Sequence, residues 1–597
     1  MKQFSFDRVT LTDGYLFEKQ EMNRKITIDA VYDRFDETGR IGAFDFSYRE
    51  GDGIVPHIYW DSDVAKWMEG AAYILKKHPD PRLEARVDAL VEKIKAHQGA
   101  DGYFNIYYTV VEPENRFTNR DRHELYCAGH LMEAAVAYAE ATGKAEFLHC
   151  MERYADYIHQ VFVVEKSAAF YTPGHEELEL ALVRLYRHTG KKKYLDMAAY
   201  FINTRGVHES ENTRSSYDQS HAPVRQQSEA VGHAVRAMYL YTGMAYLAAE
   251  TGEAELIRAC RTLWEDAVLR KMYVTGGLGS TRIGEAFTNP FDLPNDTAYT
   301  ETCAAIGLVF FSAAMLALEN DARYADILER ALYNGVLSGI SLDGKAFFYE
   351  NPLEINLNER FENHFGSNKL PITQRVECFR CSCCPPNLNR LFPSLGNYLY
   401  GLEGDCLYVN QYAASLLETD GITCTVKTDY PRNGHISVLA RGVGQVALRI
   451  PSWCSSFTLN KPYRLVGGYA IVDCDGSEIL LDLDMPVRAV WADPRVTRNA
   501  GRLCIMRGPI VYCAESVDNG ENLHRFSVGA DFTVTEQADT IFGLPTLALS
   551  CHQKQIFSDG LYANRPPEKK PATLKLIPYS GFANRGESDM LVWFCAE

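Results

Sequence analysis

Val376–Asn387 reads VECFRCSCCPPN, and four of the chain's sixteen cysteines, Cys378, Cys381, Cys383 and Cys384, fall within seven of those residues. Adjacent cysteines hardly form a disulfide with each other without strain, whereas two neighbouring thiolates can both reach one soft metal ion, which points to zinc. The other ligands must then come from elsewhere in the chain. One source is Glu301-Thr302-Cys303, a carboxylate and a thiol two apart near the start of a helical stretch. With Cys383 and Cys384 it makes three sulfurs and one oxygen, the usual coordination number for zinc. Cys378 and Cys381 form a rival Cys-x-x-Cys pair, and a purely structural site built from them with Cys383 and Cys384 is the competing assignment on spacing alone.

Outward from this cluster, residues 56 to 399 carry long amphipathic helical patterns that come in pairs. Three elbows resemble one another: YAEATGKAEFLHCMERY around Gly143, LYRHTGKKKYLDMAAY around Gly190 and LAAETGEAELIRACRTLW around Gly252. Glycine directly after a helix is the expected left-handed stop. KKHPDPRLEARV around Pro79 and ALENDARYADILERAL around Asn320 use other turn chemistry, and LNRLFPSLGNYLYG supplies the first helix of a sixth pair. Six such hairpins predict an (α/α)6 barrel in which all first helices start at one end. Polar residues gather at those starts: Trp60 and Asp61, His123 with His130, His175, Gln226 and Gln227 with His233, Glu301 with Cys303, and Cys383 with Cys384. Their coincidence at one end predicts a functional mouth there.

Beyond about residue 401 the pattern changes to short alternating segments such as EILLDLDMPVRAVWAD and RLCIMRGPIVYCAES, which is β-sandwich material. The expected domains are a barrel over 1–400 and two β-sandwich domains over 401–500 and 501–597. Of 597 residues, 61 are Lys or Arg and 78 Asp or Glu, a net charge of -17 that disfavours nucleic acid and anionic membrane as partners. A neutral small or polymeric substrate fits better. The amino terminus lacks the apolar core of a secretory signal and no run reads as a bilayer span, so the expected location is cytoplasmic, with cysteines as free thiols or metal ligands.

The loop GGLGSTRIGEAF, Gly276 to Phe287, has no strand before it and no Walker lysine after it. It reads as a flexible segment that brings Glu285 to a bound ligand.

Taken together, HELYCAGHL at 123–131, PGHEELELAL at 173–182, RQQSEAVGHAVRAMYLYTGM at 225–244, ETCAAIG at 301–307, YENPLE at 349–354 and CCPPN at 383–387 resemble glycoside hydrolase family 127, the β-L-arabinofuranosidases, over nearly the whole length. The resemblance implies Cys383 as nucleophile and Glu285 as general acid and base. It implies zinc held by Glu301, Cys303, Cys383 and Cys384, and sugar contacts from His123, His175, His233, Glu329 and Tyr349, with His130 as a second candidate for the role of His123. It further implies a retaining, exo-acting release of L-arabinofuranose from a small glycoside. Separately, the sandwich domains are a plausible surface for a homodimer. Hydrolysis of a related glycoside beside a structural zinc, or a catalytically silent sugar-binding barrel, are the competing readings.

Overall fold

In the computed structural model, which describes residues 1–208, 214–358, 361–362, 369–539, 541–557 and 560–597, six helices form a closed inner ring. They are Trp60–Lys77, Glu124–Thr142, Leu178–Thr189, Ala234–Thr251, Thr302–Glu319 and Cys384–Leu391. Each packs on the next, and the sixth packs on the first. The elbows behave as their sequences require. Gly143, Gly190 and Gly252 take φ of 74°, 69° and 68° after the second, third and fourth inner helices, with open space where a Cβ would sit. Backbone conformation, and not crowding, therefore demands glycine there. After the first inner helix, Asp80 caps Pro81–His97 by accepting from the Arg82 and Leu83 N–H groups.

The outer layer holds Pro81–His97, Glu146–His159, Lys192–Thr204, Ala254–Arg270 and Ala322–Arg330. The mate of the sixth inner helix does not follow it in sequence. It comes from the amino terminus, where Gly14–Met22 and Ile28–Glu37 are joined by a π turn, and Ile28–Glu37 packs against both the first and the sixth inner helices. Asn389 Nδ2 donates to Asn23 Oδ1 at 2.8 Å across that junction, with both residues fully buried.

Thr302–Glu319 is apolar enough to cross a bilayer by length and composition, with mean hydropathy 1.9, contrary to the sequence reading; yet 78% of it is buried inside the barrel. An inner-ring helix is covered on every side, so it is hydrophobic all round. The ring is also tight. A Cβ on Gly70 of the first inner helix would stand 2.7 Å from the backbone oxygen of Asn389 on the sixth. Gly70→Ala is therefore expected to destabilise the protein by about 1–3 kcal/mol through overpacking, read as a lower urea midpoint at unchanged slope; an unaltered midpoint would show that the two helices can separate freely.

Beneath the mouth the barrel axis is filled with charge. Arg390 Nη1 donates to Glu69 at 2.9 Å and Glu133 at 2.6 Å, and Arg184 contacts the same two carboxylates. These four residues also line a cavity of about 190 Å³ on the side away from the mouth.

The sheets brace the barrel. Two six-stranded sheets cover residues 400–483, and each takes an edge strand from the amino terminus: Lys2–Gln3 pairs with Tyr400–Glu403, and Val9–Leu11 with Ser415–Thr419. In the last sheet the pairings run from Arg502–Arg507 through Trp593–Ala596, Phe526–Val528, Thr546–Lys554, Lys569–Pro578 and Ile510–Glu515 back to Arg502–Arg507. That circuit is closed. It also recruits Glu354–Ile355 from the barrel segment, through Met590–Leu591.

Candidate active site

The inner helices deliver their amino-terminal ends to one small cavity. Tyr59, His123, His233, Glu301 and Cys383 are the residues immediately preceding five of the six helices, and His175 lies just ahead of the third. Unsatisfied N–H groups and the helix dipole make each such end mildly positive, so the mouth favours anionic side chains. The cavity holds about 200 Å³. Two of its lining residues, His123 and Glu285, have positive φ, at 60° and 53°.

Three sulfurs and a carboxylate form its base. Cys303 Sγ lies 3.6 Å from Cys383 Sγ and 3.4 Å from Cys384 Sγ, and the two adjacent sulfurs are 3.8 Å apart. Glu301 Oε1 is 3.6 Å from Cys383 Sγ and 3.8 Å from Cys384 Sγ, and Glu301 Oε2 is buried without a hydrogen-bond partner. Burial and the neighbouring Cys383 and Glu285 push the Glu301 carboxyl well above its usual range. Burial and the other two thiols push Cys384 up as well. One ligand atom from each of these four residues lies within 4.8 Å of the others, an arrangement that could hold a metal ion. Cys378 stays outside it, hydrogen-bonded to Ser382 and the Phe379 carbonyl, whereas Cys381 lines the cavity 3.8 Å from Tyr349 Oη. The rival Cys-x-x-Cys pair does not assemble with Cys383 and Cys384 among the described residues.

Glu285 faces this base from the glycine-rich loop. The loop is pinned and not slack: Ala286 N donates to Thr281 O, Phe287 N to Gly232 O, and Arg282 Nε to Glu350 at 2.6 Å. His233 Nδ1 accepts from the N–H groups of Val235 and Arg236 as the helix cap, so its proton sits on Nε2 and is donated to Glu285 Oε2 at 2.7 Å. Burial raises the Glu285 carboxyl, but the bond from His233 outweighs it and holds the group below its usual range. Burial keeps His123 and His175 neutral, helped by Arg236. Their rings stand 5.5 Å apart and form one wall. Tyr349 Oη lies 3.5 Å from Cys383 Sγ on the other side.

The structure brings together Cys383, Glu285, Glu301, Cys303, His123, His175, His233 and Tyr349 around the cavity, with Cys384 directly behind. Four expected residues are elsewhere. His130 is two turns further along its helix, fully buried with Nδ1 3.0 Å from Glu177. Gln227 spends its amide on the carbonyls of Gln219 and Ala222. Glu329 ends an outer helix and bonds Arg449 at 2.5 Å, Tyr430 at 2.6 Å and Trp453 at 3.1 Å, which places it at the junction with the sheets. Trp60 lines a neighbouring groove under Arg40. Conversely, Tyr59, Asp63, Tyr126, Tyr217 and Arg236 line the cavity and were not singled out. Arg236 follows His233 by three residues, so helical spacing from that cap could have found it.

Residues 8–397 match the family model for the β-L-arabinofuranosidase GH127 catalytic domain, and residues 487–595 match that for the glycoside hydrolase family 127 C-terminal domain. A non-reducing end β-L-arabinofuranosidase from Bifidobacterium longum subsp. longum is 38% identical over 590 residues, covering 90% of this chain and 89% of the relative. The crystal structure of a GH127 β-L-arabinofuranosidase from Geobacillus stearothermophilus T6 is 40% identical with a TM-score of 0.92, covering 99% of this chain and 100% of that one. A further GH127 β-arabinofuranosidase structure is 35% identical with a TM-score of 0.89, covering 100% and 98%. The chain belongs to glycoside hydrolase family 127 and is a glycoside hydrolase.

Proposed function

We propose that this chain is a retaining, exo-acting β-L-arabinofuranosidase in which Cys383 is the nucleophile and Glu285 the general acid and base. One observation carries the reading: Cys383 belongs both to the four-ligand cluster and to the wall of a cavity that Glu285 also lines. Of the three clustered sulfurs it is the only one on a partly exposed residue. At about 200 Å³ the cavity falls below the roughly 300–1,000 Å³ of drug-sized sites, which suits one terminal sugar ring.

Zinc suits the cluster. Tetrahedral zinc with Zn–S near 2.3 Å and Zn–O near 2.0–2.2 Å separates its sulfurs by about 3.8 Å and sulfur from oxygen by about 3.5–3.7 Å. The separations of 3.4, 3.6 and 3.8 Å between sulfurs and 3.6 and 3.8 Å to oxygen support that assignment, with Glu301, Cys303, Cys383 and Cys384 as ligands. When bound, zinc would keep Cys383 deprotonated at neutral pH and accept the charge that returns to sulfur as the carbon–sulfur bond breaks.

The chain's own groups supply the rest. Cys383 Sγ bonds to the anomeric carbon while the bond to the leaving oxygen breaks, and that oxygen takes its proton from Glu285, which must first gain one because His233 holds it ionised in the free site. Glu285 then takes a proton from water as its oxygen displaces sulfur. Two inversions leave the configuration retained. His123 and His175, neutral and fixed, would hold sugar hydroxyls, while His233 aims the Glu285 carboxyl.

Incubation with para-nitrophenyl β-L-arabinofuranoside, followed by NMR, should show β-L-arabinofuranose as the first sugar released. The α anomer appearing first would rule out the double displacement. Glu285→Gln should cost about 10²–10⁴-fold in kcat/KM on an arabinosyl disaccharide, and far less on the para-nitrophenyl glycoside, whose leaving group needs little protonation. Equal losses on both substrates would remove Glu285 from the proton-donor role.

A further inference from the structure

Beside the catalytic cavity lies a larger groove of about 700 Å³. Three segments line both spaces in alternation. Tyr59 faces the cavity while His57 lines the groove, His123 faces the cavity while Arg122 lines the groove, and Cys381 faces the cavity while Arg380 lines the groove. Tyr59 is the partition: its ring is 4.1 Å from His57 and 5.8 Å from His123, and its hydroxyl donates to the Arg380 carbonyl at 3.4 Å. A sugar attached to a ring held in the cavity has this groove as its neighbour.

The charge of the groove runs against that of the molecule. The chain carries -17 overall, yet among the described residues the groove has three arginines in its lining and no carboxylate. Arg40 is committed to structure, with bonds to Asp63, Thr38 and the carbonyls of Phe379 and Arg380. Arg122 is partly engaged: it is 41% exposed, donates to Tyr107 Oη at 3.3 Å and pairs with Glu112 at 3.8 Å. Arg380 is exposed, and among the described residues it contributes only its carbonyl to the hydrogen bonds around it. His57 stands between them with Nδ1 buried and unpartnered. Exposed guanidinium groups on a carboxylate-free wall form charge-assisted bonds with an incoming anion.

We propose that this groove seats the leaving-group side of the substrate and that the sugar held there is anionic, its charge met by Arg380 and Arg122. The inference rests on the glycosidase reading of the cavity and names the class of glycan it acts on: an arabinofuranoside of an acidic sugar, carboxylated or sulfated, in preference to a neutral one.

The test compares three β-L-arabinofuranosyl disaccharides that share one ring shape, on galactose, galacturonate and galactose 6-sulfate. The wild-type enzyme should favour at least one acidic substrate over the neutral one by roughly tenfold or more in kcat/KM, as expected for a charge-assisted contact, and the preference should shrink as salt rises. Arg380→Gln with Arg122→Gln should bring the acidic-to-neutral ratio close to one. Preference for galacturonate alone assigns a carboxylate, and preference for the sulfate alone assigns a sulfated sugar. Equal rates on all three, or a preference that survives the double variant, would overturn the proposal. Should the wild type fail on para-nitrophenyl β-L-arabinofuranoside, the catalytic reading is what has failed. Calorimetry with galacturonate and sulfated galactose oligomers then decides on the groove: saturable binding lost in the double variant supports it, and no binding overturns it.

Discussion

Cys383→Ala should abolish turnover, with a loss of at least about 10⁴-fold in kcat, the scale on which removal of an activated nucleophile is felt. The fold should survive. Cys383 is partly exposed, precedes the short helix Cys384–Leu391 and contributes no side-chain cap to it. The junction beneath that helix is held by other groups, among them Arg390 on Glu69 and Glu133 and Asn387 on Tyr239. Glu301, Cys303 and Cys384 also remain, and three protein ligands with a water is a common arrangement for zinc. A dead variant that keeps most of its metal and its unfolding midpoint would therefore identify the sulfur as the attacking atom, and not merely as a ligand. Wild-type rates from this protein would end the proposed mechanism, whatever the metal content.

Much of this site was legible because it is made of helix starts. A glycine or asparagine elbow marks where four of the hairpins turn, and the next inner helix must then begin at the same end, so polar residues ahead of those starts converge even though they lie 60 or more residues apart in pairs such as His123 and His233 or Glu301 and Cys383. What failed has equally physical causes. His130 shares a helix face with His123, but seven residues at 1.5 Å each carry it about 10 Å deeper, into the charged filling of the barrel. Glu329 sits in an outer helix, whose ends meet the sheets and not the mouth. The closing mate of the sixth hairpin was hidden because it precedes all the others in sequence, and no elbow connects it. Gln227 shows a different limit. Its position ahead of the fourth inner helix is right, but its amide is consumed by two backbone carbonyls that only the folded loop reveals.

Cys303→Ser should lose metal and activity together, and it separates a zinc that acts on the nucleophile from one that only holds the fold. Cys303 opens the fifth inner helix at 1% exposure, its sulfur in contact with both Cys383 and Cys384. Burial alone would raise its thiol, but the bonds from those two sulfurs bring it down to about 6, so it is readily deprotonated when a cation arrives. A serine hydroxyl offers a harder and far weaker ligand. Elemental analysis should fall from about one zinc per chain to a small fraction of that. Without the metal, Cys383 loses the cation that would hold its thiolate in place. Loss of that activation, together with loss of help for the departing sulfur, gives an expected drop of about 10³-fold or more in kcat. Full activity in a protein shown to be metal-free would reduce the cluster to a set of buried thiols. An inactive variant that still carries one zinc per chain would instead move the defect from the metal to the geometry of the Cys383 sulfur.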